Sequence, residues 1–202
     1  MTSACPSVLS ERSRWPIMEG YGGRYRIVSV PPPRGEHAVV EMTVEAIFVD
    51  QGERFIVVLR DDSQTKVLPI IVGQFEAKAI DVELRRRKHV RPQTHDLLRN
   101  ALTEIGAQVR RIVVTDLRDE TYYAIIDVVR NGIGHQIDAR PSDAIALALR
   151  CRAPIFVDQK VVDAAALPRD ASGSPQHPEQ VGPDVDRKFR DILSDAGLDD
   201  VG

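Results

Sequence analysis

A mixed α/β domain, with strand-strand-strand-helix units duplicated on one shared mixed sheet, is the fold this sequence predicts. Three observations lead there. Alternating or apolar stretches of strand length come in groups of three, each group closed by a helical pattern. Val, Ile, Leu and Ala carry the apolar load while aromatics make up only 5% of residues, which suits a compact sheet-and-helix core. A chain of 202 residues also has the length for one domain with a full core plus extra arms.

In chain order, residues 1–41 read as a leader with little periodicity, marked by Gly20, Gly22, Gly23 and Pro31-Pro32-Pro33. Met42 opens the first clear strand, which leaves two readings of that leader: a flexible arm, or sequence upstream of the true start codon. Residues 42–50 alternate as a strand and turn at Gln51-Gly52; residues 54–60 and 66–72 are strands around Asp61-Asp62-Ser63. Gly73 breaks the pattern. Residues 74–88 are predicted helical, with Ala77, Ile80 and Leu84 on one face. Thr94 is the expected N-cap of a second helix whose Leu98, Ala101, Leu102 and Ile105 form a stripe, and Gly106 its stop.

The second half repeats the sense of the first over a unit of roughly 60–65 residues. Residues 109–116, 122–129 and 135–139 are strands, with Asn131-Gly132 a turn signal. Residues 141–151 form an Ala/Leu helix too apolar to face water. Pro141 suits its first position, and Ser142 and Asp143 are expected to take up free N–H groups there. A short extended segment (153–157) and a short helix (160–166) complete a domain over residues 42–167. Residues 168–183 are a polar linker. Residues 184–202 hold an amphipathic helix, with Val185, Phe189, Ile192 and Leu193 aligned, and a tail; the helix is expected to dock on the body or on a second subunit.

Charge narrows the partners. Residues 42–167 hold 18 Lys/Arg and 18 Asp/Glu, whereas residues 168–202 hold 4 against 8, so the body lacks the global positive field of a dedicated nucleic-acid binder. Phosphate binding must come from local patches. No apolar run approaches the roughly 18 residues of a membrane span. The two cysteines, Cys5 and Cys151, make neither a disulfide framework nor a metal motif, and a reducing cytoplasm is the default compartment.

No Walker loop, dinucleotide glycine fingerprint, zinc-type Cys/His spacing or Gly-x-Ser-x-Gly elbow occurs. What remains is a set of polar residues at element ends: Glu76, His95, Asp96, Asp116, Asp119, Asp138, Arg140, Ser142 and Asp143. Several converging carboxylates suit Mg²⁺ or Mn²⁺, hard ions that activate water and stabilise charge on phosphate. His95 suits acid–base work instead, since imidazoles titrate near neutral pH. Each residue also has a plain structural reading: Glu76, Asp96 and Asp143 as helix first-turn acids, Asp116 and Asp119 as turn formers. Arg85, Arg86, Arg87, Lys88 and Arg91 form the one dense basic run, either a grip on phosphates or a solvated helix end. Of Tyr122 and Tyr123, one must face the core, leaving the other free to stack on a base.

Taken together, Gly73-Gln74-Phe75-Glu76-Ala77, Arg91 through Leu98, Thr115 through Asp119, Asp138 through Arg150 and Pro154-Ile155-Phe156-Val157 resemble the bifunctional nuclease domain family, in the order that family shows. Residues 189–193 resemble its short tail helix; no paired-helix UVR motif follows. Glu120 stands where such proteins often have Gly, and Tyr122 where Phe is usual. The resemblance implies a mixed α/β domain, nuclease activity on RNA and DNA, and self-association into a homo-oligomer. It supplies no catalytic set. The expected assignment is therefore Glu76, Asp138 and Asp143 on a divalent ion, His95 with Asp96 moving a proton, and Arg140 steadying phosphate. The alternative is a non-catalytic module that binds an anion or a protein.

Overall fold

The computed structural model describes residues 38–50, 52–87 and 89–168. The expected leader up to residue 37, Lys88, the linker from residue 169 and the tail helix lie outside the described residues.

The mixed α/β fold is present. Strands β1 (Val39–Val49), β2 (Phe55–Asp61) and β3 (Lys66–Val72) are followed by helices α1 (Gln74–Leu84) and α2 (Thr94–Glu104). Strands β4 (Ala107–Arg118), β5 (Thr121–Arg130) and β6 (Ile133–Ala139) lead into α3 (Pro141–Cys151), then β7 (Ile155–Asp158), α4 (Gln159–Ala165) and β8 (Leu167–Pro168). One eight-stranded sheet runs β6-β5-β4-β7-β1-β2-β3-β8. Neighbours are antiparallel except β4 and β7, which make it a mixed sheet.

The two meanders are thus set apart by β7, and they are not followed alike: α1 leads to another helix, α3 to a strand. The first strand starts at Val39, three residues before Met42, because Val39, Val40 and Glu41 pair with Asp158, Val157 and Phe156 on β7. Helix α1 stops at Leu84 and not at residue 88. Arg86 turns left-handed there (φ 53°), and the N–H groups of Arg86 and Arg87 close back on Glu83 and Val82. Leu84 is exposed as a result, while Ala77 and Ile80 are fully buried as expected.

Burial follows the two-residue period. On β2, Phe55, Val57 and Leu59 face the main core with Leu68, Ile70 and the α1 and α3 side chains, whereas Ile56 and Val58 join Val67 in a smaller cluster on the other face. Helix α3 runs through the middle, packed on α1, α2, β4 and β5, so Ala144, Ile145, Ala146, Leu147 and Ala148 are all buried. The sheet folds back on itself: the Tyr122 hydroxyl on β5 donates to the Pro69 carbonyl on β3 at 3.2 Å, although four strands separate them in the sheet order. That curl carries the start of α1, at the end of β3, toward the start of α3, at the end of β6. It is what assembles the site.

Candidate functional site

The first turns of three helices meet through side chains. Glu76 lies in the first turn of α1, His95 in that of α2, and Arg140 and Asp143 at the N-cap and first turn of α3. The Arg140 Nη2 donates to Glu76 Oε1 at 2.8 Å, and its Nε donates to Asp143 Oδ2 at 2.7 Å. The other oxygen of that carboxylate, Oδ1, meets His95 Nε2 at 3.1 Å. A continuous relay, Glu76–Arg140–Asp143–His95, therefore links positions up to 67 residues apart. Helix N-termini present free N–H groups and a partial positive charge, an environment that favours anions.

Exposure is graded along the relay. The Arg140 side chain is 67% exposed, Asp143 30%, Glu76 18% and His95 12%. Burial disfavours the charged form of Asp143, but the hydrogen bonds from Arg140 and His95 and the Arg140 charge outweigh it and hold its pKa below the usual aspartate value. The bonds from Asp143 and then Glu76 push the Arg140 guanidinium pKa up. With Asp143 ionised, His95 Nε2 is the donor in that pair, and in a neutral imidazole that tautomer leaves Nδ1 as the acceptor. A Cβ at Gly73 would press on Glu76 Oε2, so the carboxylate would have to shift to accommodate it.

Several expected roles are rearranged. His95 pairs with Asp143 and not with Asp96. Asp96 accepts the Gln93 N–H at 3.0 Å, and its other oxygen takes Arg150 Nε at 2.9 Å. Gln93, in extended backbone, is the N-cap of α2, because Asp96 folds back onto it; Thr94 is the first helical residue. Asp143 does not cap its own helix, since Arg140 and His95 occupy its oxygens, and Ser142 is buried. The expected metal set is not assembled. Arg140 lies between Glu76 and Asp143, Asp138 is exposed on β6, and no group of three or more His, Cys, Asp or Glu side chains is gathered for a metal among the described residues. As folded, this donor set does not fit Mg²⁺ or Mn²⁺.

Asp116 and Asp119 also lie outside the relay. Asp116 sits within β4 and binds Arg118 Nε at 2.6 Å and Lys160 Nζ at 3.2 Å, the Arg118 bond first and the Lys160 bond second lowering its pKa. Asp119 and Glu120 form the β4–β5 turn, both left-handed (φ 46° and 60°), a conformation that Gly adopts without a Cβ penalty. Tyr122 points inward and Tyr123 outward, the latter under the Arg118 guanidinium at 5.3 Å. Arg85, Arg86, Arg87 and Arg91 belong to the exposed connection from α1 to α2, with Arg85 tied to Asp81 at 2.7 Å. By helix rise, Arg85 is about 13 Å along α1 from Glu76.

Sequence reasoning missed Arg150. Its side chain has 0% exposure, and it ties α3 to α1 and α2: Nε to Asp96, Nη1 to the Ala79 carbonyl at 3.0 Å and to Ala146 at 2.9 Å, with Glu83 at 3.9 Å. Its spacing of three and four from Leu147 and Ala146 puts it on the apolar side of α3, which was the available signal.

A family model described as the bifunctional nuclease domain matches residues 57–170. An uncharacterized protein of Mycobacterium tuberculosis (strain ATCC 25618 / H37Rv) is 34% identical over 161 residues, 79% of this chain and 96% of its own length. Bifunctional nuclease 2 of Arabidopsis thaliana is 28% identical over 130 residues, 59% of this chain and 40% of its own. Bifunctional nuclease 1 of Oryza sativa subsp. japonica is 28% identical over 109 residues, 52% of this chain and 33% of its own. This chain thus spans well under half of the plant proteins it matches.

Proposed function

Because the chain belongs to the bifunctional nuclease domain family, we propose that it hydrolyses phosphodiester bonds in RNA and DNA at the relay of Glu76, Arg140, Asp143 and His95. The single observation that carries this reading is the His95–Asp143 pair, 3.1 Å apart, beside the exposed Arg140 at the meeting of three helix N-termini. A phosphodiester is an anion, and that end of the three helices favours one. Arg140 is the fork that grips a phosphate oxygen and steadies the charge that builds on it, at the expense of one of its present carboxylate partners. His95, oriented by Asp143, accepts a proton of the attacking water at Nδ1 as the water oxygen bonds to phosphorus; one P–O ester bond breaks and the leaving oxygen takes its proton from solvent. Water as nucleophile makes no use of a 2′-hydroxyl, so one mechanism serves both nucleic acids. No step is assigned to a metal ion, since Arg140 occupies the space between the carboxylates that would hold it.

The basic connection from Arg85 to Arg91 is proposed as an outlying contact for the phosphates of a longer strand, with a steep salt dependence. No helix among the described residues is long and apolar enough to cross a membrane. Self-association remains part of the proposal, with Leu97, Leu98 and Ile105 of α2 exposed, and sedimentation of the purified protein tests it.

A second reading, a non-catalytic anion-binding module, draws on Arg140 being shared by two carboxylates, since both partners would have to yield for a full grip on phosphate. Cleavage of labelled single-stranded RNA and DNA separates the two, run with Mn²⁺, with Mg²⁺ and with chelator. The nuclease reading expects cutting that survives chelator and falls by about 10²–10⁴-fold in His95→Ala and Asp143→Asn. Cutting that needs metal and persists in His95→Ala moves the chemistry to the carboxylates. Equal rates in wild type and both variants leave the binding module.

A further inference from the structure

We propose that Arg150 is a positioning residue for His95: through Asp96 it holds the first turn of α2 in the one register at which the imidazole reaches Asp143. The proposal rests on reading His95 as the base of the site. Its ground is an imbalance in how α2 is held. None of the residues of α2 is buried, and Leu98 and Ile105, expected on its apolar stripe, are exposed; Leu102 is its half-buried contact with the core. Apolar packing does not lock such a helix against sliding or rotation. The polar ties of its first turn therefore carry the register, and they come from adjacent residues: His95 to Asp143 and Asp96 to Arg150. A slip of α2 by one residue would lose both together.

Arg150 is suited to fix that register because it is itself fixed from two other helices, by the Ala79 carbonyl of α1 and the Ala146 carbonyl of its own α3. Its planar fork sets direction as well as distance, which a lysine ammonium would not. The residue is also an inefficient way to gain stability. A fully buried guanidinium is costly, and its Nη2 has no hydrogen-bond partner among the described residues. A packed apolar side chain would serve stability better; the directional bond to Asp96 is what such a side chain lacks.

The test uses the full chain labelled with ¹⁵N, with the His95 ring assigned by its loss in His95→Asn. Long-range ¹H–¹⁵N spectra report which ring nitrogen holds the proton, and the expected wild-type signature is a proton fixed on Nε2. Arg150→Met, Arg150→Lys and Asp96→Asn are compared with it after circular dichroism has shown each to be folded. In all three the His95 ring is expected to average between tautomers. Where the wild type cuts nucleic acid, kcat is expected to fall by about 10²-fold with KM little changed, the cost of a misplaced catalytic group. A folded Arg150→Met with the proton still on Nε2 overturns the proposal. Should Arg150→Met fail to fold, Asp96→Asn decides on the same criterion, since it keeps Arg150 and nearly the same side-chain volume. The ring spectra need no substrate, so an inactive wild type would sink the nuclease reading and leave this test standing.

Discussion

Arg140 and Arg150 stand at the two ends of one helix, and each binds a carboxylate from a helix distant in sequence. Arg140 takes Glu76 and Asp143 on the surface; Arg150 takes Asp96 beneath it, with no exposure of its own side chain. The chemistry of the two pairs is the same and their settings are opposite. A buried guanidinium cannot be traded for water, so it commits the chain to one arrangement of α1, α2 and α3. An exposed one exchanges partners at little cost, which is what a site that must receive a phosphate requires. The difference teaches which arginine to read as architecture and which as chemistry.

The comparison breaks most sharply under truncation of the buried member. Arg150→Ala is expected to destabilise the fold by about 3 kcal/mol, since it strands Asp96 without its partner, and urea denaturation measures it. An effect within the error of Arg140→Ala, for which less than about 1 kcal/mol is expected, would erase the distinction.

Acid sharpens it next. Asp96 and Asp143 both have pKa values below the usual aspartate range, although burial opposes this in each: the Gln93 N–H and Arg150 overcome it for Asp96, and Arg140 and His95 for Asp143. A carboxylate whose folded pKa is depressed contributes stability that is full above its unfolded value, near 3.9, and lost as pH falls through the folded value. Melting temperatures from these two groups should hold down to about pH 4 and then drop. Asp96→Asn is expected to remove more of that acid drop than Asp143→Asn. The reverse order would put the tighter ion pair at the surface.

The smallest expected effect is a control remote from both arginines. Glu120 is held left-handed at φ 60° in the β4–β5 turn. Glu120→Gly should stabilise the protein by about 1 kcal/mol by removing the Cβ clash of that conformation, measured by thermal melting, with cleavage unchanged.

Much of the fold was legible because its signals are local. Pro141 at the head of an Ala/Leu run marked α3 to the residue, and Asn131-Gly132 marked a turn in which both residues have positive φ. Gly106, also at positive φ, ended α2 as expected. Glu76, His95, Arg140 and Asp143 were legible as candidates because polar residues at helix starts attract notice whatever surrounds them. Their pairing was not. It depends on the curl of the sheet, written in contacts such as Tyr122 to Pro69 that no window of sequence contains. Arg150 was missed for the opposite reason: an arginine near a helix end reads as solvated, and it is the packing of α1 and α2 on α3 that buries it. The first strand starts before Met42 because Val39 and Val40 are claimed as strand by β7, more than 110 residues away.

The most direct test of the account is Arg140→Gln, followed at once by calorimetry and by cleavage of single-stranded RNA. The account predicts a melting temperature within about 2 °C of wild type and a cleavage rate about 10²-fold lower. A variant that melts as wild type and cuts as wild type would contradict it, and would remove the exposed arginine, and the relay built on it, from the chemistry.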